Sequence, residues 1–331
     1  MENIKRLEYV DIIRGIAITL VVVGHIIQFN GIPMNNPVFE FIYSFHMPLF
    51  FAISGYIIQK VTKIESWSQY WHFLKKKIIA IAIPFLVWTL LIDTFFLKER
   101  WYIVNTEYFI HKLQYPMLWY LKSLFLLLVA FGAYDFIQNK IHTKTSLRIM
   151  CSYAVFMLIV SMIVAIGIDE KYLIMYFAFF SGGAILAQYD WLETLVTKDS
   201  IYSIAFVLFF IFVTHWNFQG SMVDVVYKVL ISILAFIVLL NFSRKFKMYG
   251  AVSNMFKLFG RESLGIYVMQ FYLCHFCDAS AFQSTNPFII FMIAFVIALP
   301  ICFICSWGSI MIKGNPYLAL ILLGKRRNSK I

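Results

Sequence analysis

Residues 9–29 read YVDIIRGIAITLVVVGHIIQF, and this stretch decides the class of fold. It is long enough to cross a bilayer, which takes about 20 mostly apolar residues. It nevertheless carries Asp11, Arg14 and His25. Ionisable groups within an apolar span are costly, and they mark either a site or a satisfied pair. At about 100° per residue, Arg14 and His25 return to within about 20° of one face, about 16 Å apart along the axis. Asp11 lies on the same face, three residues before Arg14, where the two can pair. One stripe therefore holds a cation near one end of the helix and an imidazole in its other half.

The rest of the chain is built the same way. Of its 331 residues, 61% are hydrophobic and only 14% are charged. Soluble domains average about 25% charged residues. The mean hydropathy is +0.78. Too little polar surface is available to solvate a globule of this size, which excludes a soluble domain, a coiled coil and a disordered chain. The net charge of +11 does not indicate nucleic acid, because no basic stripe with spaced aromatics accompanies it. In a membrane protein, Lys and Arg collect on the cytoplasmic side.

These features predict an all-α polytopic membrane protein of about ten transmembrane helices. The expected spans lie near 9–29, 41–59, 76–97, 117–137, 149–168, 171–188, 200–216, 222–241, 261–277 and 288–312. With both termini cytoplasmic, 21 of the 28 basic residues face the inside, four face the outside and three (Arg14, Lys122, Lys228) lie within spans. An odd number of spans would expose the Lys325-Arg326-Arg327 tail, against the positive-inside rule. The first span is not a cleavable signal, since no small-residue cleavage site follows it. Residues 1–331 are expected to form a single membrane-embedded domain with no appended soluble domain. Pro316 to Leu323 is too short to cross and belongs at the cytoplasmic surface. The C-x-x-C pairs Cys274/Cys277 and Cys302/Cys305 resemble a zinc pattern. They fall on membrane helices, where Cys is a small packing residue, so no metal is expected.

Other polar groups gather at the depth of His25. The second span reads Ser44-Phe45-His46-Met47-Pro48, followed later by Ser54-Gly55-Tyr56. Pro48 can kink the helix and free a carbonyl, and Ser54 and Gly55 permit close helix contact. His46 is a candidate site residue or an interfacial anchor. Asp93 ends the third span, and Trp119, Tyr120 and Lys122 begin the fourth. Asp224 and Lys228 have the i, i+4 spacing of a local ion pair. Ser263, Tyr267, Gln270 and Cys274 form a stripe that should face protein rather than lipid. His215 and Trp216 read as interface anchors.

With these residues in view, the chain resembles the integral-membrane acyltransferase 3 family, in particular its stand-alone members similar to polysaccharide O-acetyltransferases. Arg14 and His25 match the family's Arg-x10-His pattern, and Phe45-His46-Met47-Pro48-Leu49-Phe50-Phe51 with Ser54-Gly55-Tyr56 matches its second signature. Leu118-Trp119-Tyr120-Leu121 and Phe259-Gly260-Arg261-Glu262-Ser263-Leu264-Gly265-Ile266-Tyr267 support it. Gln270 stands where many members carry a histidine. The resemblance implies a multi-pass enzyme of the bacterial inner membrane, contacting membrane lipid, acyl-CoA and a sugar or polysaccharide acceptor.

The chemistry needed for such a transfer assigns roles to these residues. Arg stays charged when desolvated and suits phosphate, so Arg14, with Asp11, is the candidate holder of acyl-CoA, expected to be acetyl-CoA with succinyl as the alternative. The catalytic candidates are His25 and His46. His25 is the candidate general base for a sugar hydroxyl. His46 or Lys122 is expected to donate to the oxyanion. Direct transfer and a covalent relay through His, Tyr267 or Tyr120 both fit. Asp93, Trp119, Tyr120, Lys122, Tyr267 and Gln270 are the weaker substrate-side candidates. A sugar transporter or export factor is the rival reading, since polar groups at mid-depth and Pro kinks also describe one. It has no inverted repeat in its favour.

Overall fold

A computed structural model describes residues 7–30, 36–96, 117–141, 156–159, 161–162, 171–213, 222–246, 250–275 and 286–325. All regular structure among them is helical. The helices are α1 (Glu8–Phe29), α2 (Pro37–Val61), α3 (Trp67–Phe95), α4 (Trp119–Lys140), α5 (Lys171–Gln188) and α6 (Asp190–Val196). They continue as α7 (Asp199–Val213), α8 (Met222–Phe246), α9 (Gly250–Arg261), α10 (Ser263–Cys274), α11 (Pro287–Gly314) and α12 (Pro316–Leu323). α3 is interrupted by two π-helical turns, Ile78–Ala82 and Ile92–Phe96.

Three of these helices start by one device. Asn36, Asn286 and Asn315 each accept a backbone N–H of the first turn through Oδ1, and each precedes a proline. Proline at the first helical position lacks only an N–H that would have no partner there, while the Asn side chain satisfies another. α12 ends at Gly324, whose left-handed backbone (φ 62°) lies against the π turn of α3, where a Cβ would meet Ile79 O at 2.4 Å.

Among the described residues, six helices are long and apolar enough to cross a membrane, or seven if α6 and α7, bent by 62°, form one span. The six are α1, α2, α3, α4, the Val226–Lys245 part of α8, and α11. The expectation of ten is therefore not met within these residues. The fifth expected span falls largely outside them. The ninth, expected over 261–277, is α10, whose 12 residues rise only about 18 Å. Glu262 breaks the chain before it, accepting a hydrogen bond from Ser309 Oγ at 2.6 Å. The basic stretch before that break contains α9, packed against α1. Large apolar side chains such as Phe288, Val296 and Trp307 on α11 and Ile204 and Val207 on α7 are exposed, the pattern of a surface solvated by lipid.

The chain divides into two compact units, Met1–Lys60 with Phe179–Ile310, and Val61–Ala178 with Met311–Ile331. In the first, backbone contacts at glycine join the helices. A Cβ on Gly15 would lie 2.0 Å from Phe256 O of α9, and one on Gly260 would lie 1.8 Å from Asp11 O of α1. The same reciprocal arrangement joins α2 to α5: a Cβ on Gly55 would run into Phe180 O, and one on Gly183 into Ala52 O. Glu193 on α6 ties the ends of α2 and α8, accepting from Tyr56 Oη and Lys60 Nζ at 2.9 Å and from Arg244. Arg244 also covers the ring of Tyr9, which hydrogen-bonds Tyr56. In the second unit, Asp135 accepts Ile64 N–H at 2.6 Å, Asn139 donates to Ile64 O, and Trp88 of α3 donates to Leu322 O of α12 at 2.7 Å.

The glycine contacts set a sharp test. Gly260→Ala is expected to lower the thermal unfolding temperature in detergent and the yield of monodisperse protein, because only backbone faces the new methyl and overpacking costs about 1–3 kcal/mol or more. Gly182→Ala, where an added Cβ meets nothing within 4 Å, should leave both unchanged.

Candidate functional site

The site in the first unit is assembled from α1, α2, α8 and α10. Its placement begins with a missing donor. Pro48 lies inside α2, so it cannot donate to Ser44 O, the carbonyl four residues earlier. Ser232 Oγ of α8 lies there, its one proton shared between Ser44 O at 3.0 Å and Lys228 O of its own helix at 2.6 Å. The carbonyl that the sequence predicted to be freed thus becomes the point where α8 docks on α2. Ser44, Ser232, His46 and Lys228 are all buried, the last at 8% exposure.

His46 has a defined tautomer. Its Nδ1 lies 2.7 Å from Ile42 O. A carbonyl only accepts, so Nδ1 carries the proton and the neutral ring presents Nε2 as a lone pair. In a neutral ring the only N–H is then taken by Ile42 O. Tyr43 packs edge-on against the ring at 4.7 Å, and Tyr43 Oη donates to Gln28 of α1. His46 also lies within charge-interaction range of Lys228 and of His25.

His25 is held between aromatic rings. Phe29, one turn later, stacks on it at 5.3 Å, and Phe271 of α10 lies at 5.0 Å. The residue is half-buried, but its Nδ1 is fully covered and has no hydrogen-bond partner. The Gln270 side chain faces the ring. Gln270 donates to Tyr267 O at 3.3 Å, leaving its own Oε1 buried and unpartnered. Such atoms are uncommon in folded proteins and call for a reason. Asn30 closes this end, donating to Ile26 O of α1 and Cys274 O of α10.

The predicted residues therefore separate. The structure brings His25, His46 and Gln270 together, with Tyr267 buried on α10. Tyr267, Gln270 and Cys274 are buried as their stripe predicted, and Ser263 is half-buried. Arg14 is half-buried on α1, and buried Asp11 lies 3.7 Å from Arg261 of α9, a partner that sequence spacing did not suggest. Asp93, Trp119, Tyr120 and Lys122 belong to the second unit. There Asp93 is buried in a π turn, Tyr120 is buried, Lys122 is half-buried, and Trp119 stacks on Tyr176 at 5.3 Å. His215, Trp216 and Cys277 lie outside the described residues. Among the described residues, no group of three or more His, Cys, Asp or Glu is arranged to hold a metal ion.

The acyltransferase 3 family profile, described as an acyltransferase domain, matches residues 7–307. The chain belongs to this family. The match takes in every residue of the site. Two curated relatives are similar over a shorter stretch: the nodulation protein NolL of Mesorhizobium japonicum, 37% identical over 89 residues, and that of Sinorhizobium fredii, 39% identical over 90 residues. Each alignment takes in 25% of this chain and 23% or 24% of the relative, so the chain spans about a quarter of the length of these relatives. No solved structure matches.

The Pro48 break can be tested by itself. Ser232→Ala should destabilise the protein by about 1–3 kcal/mol, the cost of leaving a buried carbonyl unsatisfied. In a Pro48→Ala background a backbone N–H is restored to Ser44 O, so the same substitution should cost markedly less. Thermal unfolding of the four proteins measures the coupling.

Proposed function

We propose that this protein is a membrane O-acyltransferase of the bacterial inner membrane. In this reading it moves an acyl group, expected to be acetyl, from cytoplasmic acyl-CoA to a hydroxyl of a surface polysaccharide or lipid-linked sugar. Two imidazoles converging inside a chain of an acyltransferase family are the observation that carries the reading. Family membership favours transfer over the sugar-transporter alternative.

The residues divide the work by depth. Arg14 and His25 lie about 16 Å apart along one helix, a separation suited to a donor whose phosphates stay near the cytoplasm while its thioester reaches inward. Arg14 binds phosphate, and Asp11 with Arg261 holds that end of α1 in place. A sugar hydroxyl is a poor nucleophile near neutral pH, and an imidazole is suited to remove its proton as it attacks. His25 is assigned that role: its Nδ1 has no hydrogen-bond partner and Gln270 faces the ring. The hydroxyl oxygen bonds to the thioester carbon, the carbonyl electron pair moves to oxygen, and collapse expels CoA thiolate, which takes the proton from the imidazolium. The tautomer of His46 supports a second assignment, in which its Nε2 takes the proton.

Release of CoA thiol, measured in lipid nanodiscs with acetyl-CoA and a crude surface-polysaccharide fraction, tests the reading. Release by the wild type should depend on the acceptor. His25→Ala should reduce it by at least about a hundredfold, within the range of general-base catalysis, while the protein still inserts. Full activity in that variant together with loss in His46→Ala selects the second assignment. No release with acetyl-CoA or succinyl-CoA overturns the reading. Arg14→Ala should raise the dissociation constant for acetyl-CoA, about tenfold for a lost partly exposed ion pair at about 1.4 kcal/mol.

A further inference from the structure

The donor end of the proposed site has to hold more negative charge than one arginine meets. Coenzyme A carries a diphosphate and a separate phosphate, and Arg14 is a single cation. α9, not evident in the sequence, brings another. It lies against α1 where Gly260 leaves room for Asp11 O, an added Cβ falling 1.8 Å from that oxygen. This backbone contact fixes the next residue, Arg261, beside the Asp11 carboxylate, with Nε 3.7 Å from Oδ2. Asp11 precedes Arg14 by three residues on one face of α1, so the positions of Arg14 and Arg261 both adjoin it.

The two basic residues of α9 are used differently. Lys257 Nζ lies 2.8 Å from Glu8 Oε2, and that pair takes up its charge. The Arg261 side chain is 48% exposed, over a carboxylate only 4% exposed. At 3.7 Å the contact is an ion pair longer than a hydrogen bond. Among the described residues the guanidinium makes no hydrogen bond. Its pairing with Asp11 therefore places Arg261 without engaging its fork of N–H donors, the group that binds phosphate oxygens in pairs.

We propose that Arg261 is a second phosphate-binding residue of the donor site, sharing with Arg14 the phosphates of acyl-CoA. The inference rests on the acyl-transfer reading. Arg261 takes no part at the thioester, because His25 lies about 21 Å from Asp11 along α1. Its charge acts on donor affinity and leaves the acyl step alone. Asp11 aligns the guanidinium through its Nε edge, and the Nη edge is left for phosphate.

The test compares two donors on the full-length protein in nanodiscs: acetyl-CoA, and S-acetylpantetheine, which has the same thioester and no phosphate. Arg261→Gln should raise KM and the dissociation constant for acetyl-CoA about tenfold, the order expected for one lost contact to a charged group. Its kcat with acetyl-CoA, and kcat/KM with S-acetylpantetheine, should stay within about threefold of wild type. Arg261→Lys keeps the charge beside Asp11 but loses the fork. It should show a smaller loss, again with acetyl-CoA alone, and it carries the test if Arg261→Gln does not fold. Lys257→Gln removes a charge from the same helix and should leave acetyl-CoA affinity close to wild type. Equal losses with the two donors overturn the proposal, since they make Arg261 structural. Equal losses in Arg261→Gln and Lys257→Gln also overturn it, since they reduce the effect to general attraction. Lipid headgroups are the other source of phosphate. If Arg261→Gln removes a stability difference between phosphatidylglycerol and phosphatidylcholine nanodiscs but spares acetyl-CoA affinity, the residue binds lipid and the proposal fails. A wild type that binds no acetyl-CoA refutes the donor reading and this inference with it. A wild type that binds acetyl-CoA no more tightly than Arg261→Gln refutes this inference alone.

Discussion

Everything in the first unit depends on how closely α1 can approach α9. In lipid there is no hydrophobic gain from pressing two apolar helices together, so packing distance and polar contacts decide association. Gly15 and Gly260 each leave the volume of a side chain to a backbone carbonyl of the other helix, those of Phe256 and Asp11. Each glycine therefore lies four residues from the carbonyl that the other one receives. This reciprocity fixes both the crossing point and the register of the pair. Asp11 then reaches Arg261, Lys257 reaches Glu8, and the face of α1 that carries Arg14 and His25 takes a defined direction. The glycines Gly55 and Gly183 do the same for α2 and α5. Two helices bearing ionisable residues are thus held to their neighbours by backbone.

Against that rigid frame, the break in α2 is the adaptable element. A proline in a membrane helix leaves a carbonyl that no water can satisfy, and a neighbouring hydroxyl is one of the few remedies. Ser232 supplies it, which makes the position of Pro48 in the sequence a specification of where α8 must dock. A single local defect in hydrogen bonding thus joins two helices two residues from His46.

Much of this was legible from residue order. The spans α1, α2, α4 and α11 lie close to where apolar length placed them, and the buried stripe of α10 followed from its i, i+4, i+7 spacing. The Pro48 carbonyl was legible as free, though not its partner. The helix starts at Pro37, Pro287 and Pro316 were marked by preceding asparagines, a signal that fixes helix ends more closely than hydropathy does. α9 was hidden because its polar and basic residues resemble a loop to any measure of mean hydropathy; its amphipathic spacing would have revealed it. The ninth span was expected to start at 261, where the chain instead breaks at Glu262 between α9 and α10.

The sequence by itself determined that lipid is the solvent, that α1 carries a cation and an imidazole on one face, and that the chain resembles a family to which it belongs. The first two follow from composition and from the 3.6-residue period, which are properties of one segment at a time; the resemblance rests on its motifs. Only the tertiary structure decided which carbonyl accepts from Ser232, and that Asp11 faces Arg261 rather than only its own helix. Those outcomes depend on distances between segments far apart in the chain, and they are set where glycine lets two backbones touch.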